Sequence, residues 1–296
     1  MIIGITGGTG FIGSALASYH SQLGDTVRIL SRKNIPGGFK GDLLDKNDDL
    51  SDFLNGLDIL YHCAAEIRNE SLMYDLHVEG TKRLVTSAKK RVKKWVQLSS
   101  VGVYGQSLSN IINEDSPMMP DSLYEKTKAE SDEIVINSDL NWTIVRPSIV
   151  FGRDMKNNSI RNFLYSVSKK KFFFIGDKSR LMNLIFIDDL IMAMNIISKS
   201  SKSSREIFII NKDIKLIDII NSVNKFCNRE TNFPTFPEKF VKFFVQRIPF
   251  VKYSGLTLSR VNALTNNKRY ISTKAIKKFG IHLQTSSDIL VNELLK

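Results

Sequence analysis

The sequence is short of the residues that build covalent or metal cross-links. It has two cysteines, Cys63 and Cys227, far apart and without metal-ligating spacing, and four scattered histidines, His20, His62, His77 and His282, in 296 residues. Neither a disulfide framework nor a metal site is expected, and a reduced, cytoplasmic setting is the default. No stretch approaches about eighteen uninterrupted apolar residues, so no transmembrane segment is expected. The opening "MIIGITGGTG" lacks a basic n-region and turns glycine-rich at once, which reads as a strand entering a turn and not as a signal peptide. There is no internal repeat. Acidic residues are in deficit: 30 Asp and Glu against 42 Lys and Arg leave a net charge of +12, an excess that steers anionic ligands. The basic runs "KKRVKKW" (Lys89 to Trp95) and "SKKKFFF" (Ser168 to Phe174) read as helix ends followed by buried strands, since cations favour helix C-termini. No compact nucleic-acid-binding motif is present, and no nucleic-acid partner is expected.

What is there alternates. Hydrophobic residues are 42% and charged residues 24%, enough for a sizeable core. Through the first two-thirds, β-branched runs alternate with helical patterns, the mark of a doubly wound parallel sheet of Rossmann type. Strands are expected at Ile2–Thr6, Thr26–Leu30, just before "GDLLD", at Leu57–Ala65, Lys94–Ser100 and Trp142–Pro147, with a last one at Glu206–Asn211. Helices are expected in "FIGSALASYHSQLG", with Gly24 as C-cap, and in "EGTKRLVTSAKKR", "YEKTKAESDEIVI", "NFLYSVSKKK" and "IDDLIMAMNIIS", the last capped by Asp188 or Asp189. The expected division is a dinucleotide-binding domain over 1–152 plus about 188–211. A smaller, mainly helical substrate-binding lobe takes 153–187 plus 212–296, packed on the sheet's C-terminal edge.

"TGGTGFIG" (Thr6 to Gly13) follows the first strand and opens the first helix. Such a turn lets the backbone approach a pyrophosphate, and the helix N-terminus offers it free N–H groups. After the second strand, where an acid would bind the adenosine ribose, the chain reads Ser31, Arg32 and Lys33. A hydroxyl and two cations suit a 2′-phosphate, so NADP is favoured over NAD. Asp42 and Leu43 of "GDLLD" are placed to accept from the adenine amino group and to cover the ring, while Asp45 suits the cap of a helix from Lys46 onward. The strand end "HCAA" supplies small residues (Cys63, Ala64, Ala65) beside a bound dinucleotide. "QLSSVGVYG" brings Ser99 and Ser100 to the same sheet edge, and Pro147 stands at the mouth of the sixth strand.

Tyr124 and Lys128 of "YEKTK" lie four apart, on one face of a helix beside that edge. A phenol titrates near about 10, and a neighbouring ammonium lowers that value towards use as an acid or base. With Ser100 orienting a substrate oxygen, the three meet the needs of carbonyl reduction by hydride. Glu125, Lys126 and Thr127, on the other faces, are expected to be solvated.

Together "TGGTGFIG", "GDL", "HCAA", "EGT", "SSVGVYG", "YEKTK", "RPSIVFG" and "FIDDL" resemble the extended branch of the short-chain dehydrogenase/reductase superfamily, the nucleotide-sugar epimerase/dehydratase group. The match runs from Met1 to about Asp189. The resemblance implies Ser100, Tyr124 and Lys128 as catalytic triad. It implies Gly7, Gly10, Phe11, Ile12 and Gly13 as pyrophosphate cradle, Lys128 also on the nicotinamide ribose, and Pro147 to Ile149 along the nicotinamide. It departs at His77, where the group has Asn, an exchange that makes a hydrogen bond pH-dependent. "NNKRYISTKAIKKFGI" (Asn266 to Ile281) is similar to the group's closing pattern. The implied activity is hydride transfer at a sugar carbon of a nucleotide-activated sugar, as 4-keto reduction or 4-epimerisation. Alternatives are an NADPH-dependent ketone reductase of hydroxysteroid or flavonol-like type and a non-catalytic dinucleotide-binding scaffold. A homodimer is a further implication. "FPEKFVKFFVQRIPFVKY" (Phe236 to Tyr253) is read as a cover over the substrate pocket or a peripheral membrane contact, with Phe240, Phe243, Phe244 and Val251 placed in the core.

Overall fold

β-Branched runs become strands where both faces can be buried. Seven of them form one parallel sheet: β1 (Ile2–Thr6), β2 (Thr26–Ser31), β3 (Phe39–Lys40), β4 (Leu57–His62), β5 (Val92–Leu98), β6 (Trp142–Pro147) and β7 (Glu206–Ile210). Their order is β7-β6-β5-β4-β1-β2-β3. The computed structural model describes residues 1–105, 107–247, 258–265 and 268–296. The chain leaves β1 in one direction to β2 and β3, then returns to β4 on the other side of β1. That reversal creates a crevice at the carboxyl ends of β1 and β4, where doubly wound sheets bind ligands. In register, Thr6 lies opposite His62, and His62 opposite Gln97.

Below that edge Trp95 on β5 pairs with Trp142 on β6, and both join a core of Leu30, Phe53, Leu60, Leu84 and Ile144. The helix Leu123–Ile136 begins with a capping box. Ser122 Oγ accepts from the Glu125 N–H, and the Glu125 carboxylate accepts from the Ser122 and Asp121 N–H groups at 3.1 and 2.9 Å. Helix starts of this kind contribute about 1 kcal/mol.

The chain divides into two compact units. One comprises 1–150, 187–211 and 270–283; the other comprises 151–186, 212–269 and 284–296. Residues 270–283 therefore belong with the sheet and not with the second lobe, where the sequence reading put them. Glu206 at the start of β7 holds Lys278 at 3.0 Å and also pairs with Lys274, while the Ser272 hydroxyl donates to the Asn211 carbonyl. In the second unit Leu181–Phe186 pairs antiparallel with Lys212–Lys215, and helices span Ser159–Ser168, Leu216–Phe226, Glu238–Arg247 and Ser287–Leu295. Among the described residues no helix is long and apolar enough to cross a membrane.

Two expectations change. No helix starts at Lys46; Asp45 Oδ1 accepts from the Asn47 N–H in a turn, and the next helix is Ser51–Leu54. Phe240, Phe243 and Phe244 are not core residues: Val241 and Val245 take the inward stripe of their helix and leave the three rings outside. Val251, with the rest of its segment from 248, and Asn266 and Asn267 lie outside the described residues.

Candidate active site

Thr6 to Gly13 turns tightly out of β1. Gly7 has φ +67°, and a Cβ there would stand 2.7 Å from the Cys63 carbonyl oxygen and 2.8 Å from Ala64 N. A Cβ on Gly13 would run into the Gly7 carbonyl group. Both positions exclude side chains on packing grounds. The helix Phe11–Gln22 starts at Gly10 with no side-chain cap, so its first N–H groups are left for a ligand. Phe11 and Ile12 are half-buried in that first turn. This cradle fits a pyrophosphate.

The helix Leu123–Ile136 carries Tyr124 and Lys128 beside β5. Lys128 is buried, and its Nζ donates to the Leu98 carbonyl oxygen at 2.7 Å. Ser100, two residues further, accepts from the Gly102 N–H at 3.0 Å and caps the short turn Val101–Tyr104, which packs on the first turn of the same helix at Glu125. Serine, tyrosine and lysine thus gather at one sheet edge. Burial lowers the Lys128 pKa, opposed chiefly by the charge of Asp132. The lysine's charge in turn reaches His62, His77 and Cys63.

A model of the NAD dependent epimerase/dehydratase family matches residues 3–211. The chain belongs to that family. It is 24% identical over 252 residues to an N-acetyl-alpha-D-glucosaminyl-diphospho-ditrans,octacis-undecaprenol 4-epimerase of Escherichia coli O157:H7, covering 81% of this chain and 72% of the relative. It is 31% identical over 169 residues to sterol demethylase protein B of Methylococcus capsulatus, about half the length of each. A UDP-glucuronic acid 4-epimerase of Bacillus cereus, solved with NAD, superposes at TM-score 0.75 and 20% identity over 99% of this chain and 97% of that one. Family membership makes the chain an NAD-dependent enzyme of the short-chain dehydrogenase/reductase type.

Against the family pattern, several residues sit differently from expectation. Burial pushes the Tyr124 phenol up to about 12, with Asp132 and Glu125 adding to the rise. The expected lowering by Lys128 is absent, and the ammonium bonds to the Leu98 carbonyl. Ser99 is buried and its hydroxyl donates to Asp132 Oδ2 at 2.7 Å, so the side chain faces the core and not the crevice. Leu43 is likewise a core side chain, packed with Leu30 and Leu50. Asp42 Oδ1 accepts from the Leu44 N–H at 2.9 Å, closing a turn. Cys63 and Ala64 are half-buried against Gly7 and Ala65 is exposed; burial raises the Cys63 thiol to about 12. Ser31 Oγ accepts from the Lys33 N–H, and Arg32 is exposed with its charge reaching the Glu66 carboxylate. Pro147 is buried at the end of β6; Ile149 is 54% exposed.

Thr127 is buried, contrary to expectation, and belongs to a polar chain that motif reading missed. The Glu66 N–H donates to His77 Nε2 at 2.9 Å, so the proton sits on Nδ1 and is donated to the Thr127 hydroxyl at 2.8 Å. Thr127 in turn donates to the Leu123 and Tyr124 carbonyls. The His77 ring meets the Tyr124 ring edge-on at 5.6 Å. Burial and Lys128 hold His77 neutral, with its pKa down at about 3, so the pH-dependent charge expected from the sequence does not operate near neutrality. Behind it, Thr81 donates to the His77 carbonyl, His62 Nε2 lies 3.1 Å from Thr81, His62 Nδ1 lies 2.7 Å from Thr6 Oγ1, and Thr6 accepts from the Ala64 N–H. The cradle and the Tyr124 helix are joined through five buried side chains.

A second missed element is the buried pair Asp132–Arg146. Asp132 Oδ2 accepts from Arg146 Nε at 3.1 Å and Nη2 at 3.0 Å, and Nη1 reaches the Tyr104 hydroxyl at 2.8 Å. The signal was there: Asp132 lies one turn beyond Lys128, and an arginine inside the apolar run "WTIVRP" demands a buried partner.

Proposed function

We propose that this chain performs hydride chemistry at a sugar carbon of a nucleotide-activated sugar, in the reductive direction at a 4-keto group, with Tyr124 as the proton donor. The observation that carries the reading is the placement of Tyr124 and Lys128 on one helix face beside the Ser100 turn. A nicotinamide cofactor supplies the hydride. This chain's residues do the rest. Ser100 orients the carbonyl oxygen and Tyr124 delivers its phenolic proton as that oxygen becomes alkoxide. Lys128, bonded to the Leu98 carbonyl, is placed to hold the nicotinamide ribose, and Asp132 opposes the loss of its charge on burial. A phenol held near about 12 is protonated at neutral pH. That is the state from which a proton donor acts. Two of the relatives are named as 4-epimerases, one of a lipid diphosphate-linked sugar and one of a UDP-sugar, which supports a sugar diphosphate as substrate. The +12 charge suits a diphosphate. We assign NADP over NAD from Arg32 and Ser31.

Tyr124→Phe tests the reading. With a UDP-4-keto-hexose as substrate, the variant is expected to lose about 10²–10⁴-fold in turnover of NADPH while its dinucleotide affinity is unchanged. Unchanged turnover overturns the assignment of Tyr124.

A further inference from the structure

On the helix Glu238–Arg247, residues 240, 243, 244 and 247 fall on one stripe and 241 and 245 on the opposite one. The inward stripe is apolar: Val241 and Val245 are buried with Ile175 and Val261. The outward stripe is apolar as well. Phe240 and Phe243 are 54% and 53% exposed, and Phe244 is 37% exposed. The rings of Phe240 and Phe244 stand 4.5 Å apart and those of Phe243 and Phe244 6.0 Å, so they form one patch. Phe236, 40% exposed, lies one turn before it.

A three-phenyl patch in water has a cost that a helix surface ordinarily avoids by placing polar residues there. Its charges all lie to one side of the balance. Arg247 stacks over the Phe243 ring at 5.1 Å, and exposed Lys239 flanks the patch. The helix's one acid, Glu238, is already held by Arg180 at 2.6 Å and Lys242 at 2.8 Å. What faces outward is therefore aromatic and cationic. That combination complements an interface with anionic headgroups above acyl chains: the rings enter the headgroup–acyl boundary and the cations stay at phosphate level.

We propose that this helix face docks the protein on an anionic phospholipid surface. The helix lies in the plane of the interface, inserted by Phe240, Phe243 and Phe244 and held by Lys239 and Arg247. The surface carries no part of the reaction assigned above, and the two readings stand or fall separately.

The test is co-sedimentation of the full chain with vesicles of phosphatidylglycerol mixed equally with phosphatidylcholine, set against vesicles of phosphatidylcholine alone. Binding is expected to the anionic vesicles, weakened by added salt. Replacing the three phenylalanines by serine (Phe240→Ser, Phe243→Ser, Phe244→Ser) is expected to weaken it at least about tenfold. Lys239→Glu with Arg247→Glu is expected to remove the preference for anionic vesicles. Dinucleotide binding, measured alongside, should be unaltered in both variants and reports that they fold. Absence of binding to anionic vesicles overturns the proposal, as does binding that the serine variant retains in full. A dimer that the serine variant converts to monomer, without vesicle binding by the parent, assigns the face to a second copy of the chain and likewise overturns it.

Discussion

His77 donates from Nδ1 to the Thr127 hydroxyl at 2.8 Å, and Thr127 passes its own proton to the carbonyls of Leu123 and Tyr124. An imidazole from the strand-end side of the sheet thus fixes the first turn of the helix that presents Tyr124. Since the ring also accepts from Glu66, it is satisfied only when neutral.

That neutrality makes stability depend on acid. His77 and His62 titrate near about 3 in the folded chain, against an ordinary 6.5. Unfolding lets both bind protons at higher pH. Their contribution is complete above about pH 6.5 and is lost as pH falls towards about 3. His77→Asn keeps an acceptor for Glu66 and a donor for Thr127 but cannot titrate. Its melting temperature is expected to fall less between pH 7 and pH 5 than the parent's. Parallel pH curves would contradict the neutral ring.

Asp132→Asn leaves Arg146 buried without its anion. A loss of about 3–5 kcal/mol in denaturant unfolding is expected, as for other broken buried pairs. Adding Arg146→Met should recover part of it, because no stranded charge then remains. In Asp132→Asn the Lys128 ammonium also loses the charge that best opposes its burial. Activity should therefore fall at a lower pH limit on the alkaline side than in the parent.

Gly13→Ala sets a methyl against the Gly7 carbonyl, a backbone group that cannot swing aside. We expect about 1–3 kcal/mol of destabilisation and a marked loss of dinucleotide affinity. Gly10→Ala, whose Cβ would stand 3.1 Å from the same oxygen, should be milder in both measurements.

Arg32→Asp exchanges a cation for the acid that binds ribose hydroxyls. NADPH is expected to bind about 10–100-fold more weakly and NADH more tightly. Fluorescence titration of the two dinucleotides checks the exchange, and an unchanged ratio contradicts the NADP assignment.

The sheet was legible because its signals are local. β1 and β6 end where their β-branched runs end, and Ser122 with Glu125 announces the helix of Tyr124. Partnerships between distant segments were not. Nothing in "YEKTK" says that Thr127 meets His77 fifty residues earlier, so a hydroxyl between two charged neighbours read as solvated. Nor does Lys128 in isolation show that its ammonium bonds to Leu98, or that burial, with Asp132 and Glu125, raises the phenol's pKa. The aromatic helix failed for another reason. Hydrophobicity counts Phe and Val alike, and only the packing of Val241 and Val245 decided which stripe went inside.

The buried polar chain from Thr6 to Thr127 meets peptide groups at both extremities, the Ala64 and Glu66 amides on the donating side and the Leu123 and Tyr124 carbonyls on the receiving side, and branches at Thr81 to Ser131 and Gln97. Peptide amides do not surrender their hydrogens, and Thr81 has its own committed to the His77 carbonyl. The chain is therefore a strut. It ties the phosphate turn to the helix of Tyr124 through fixed hydrogen bonds.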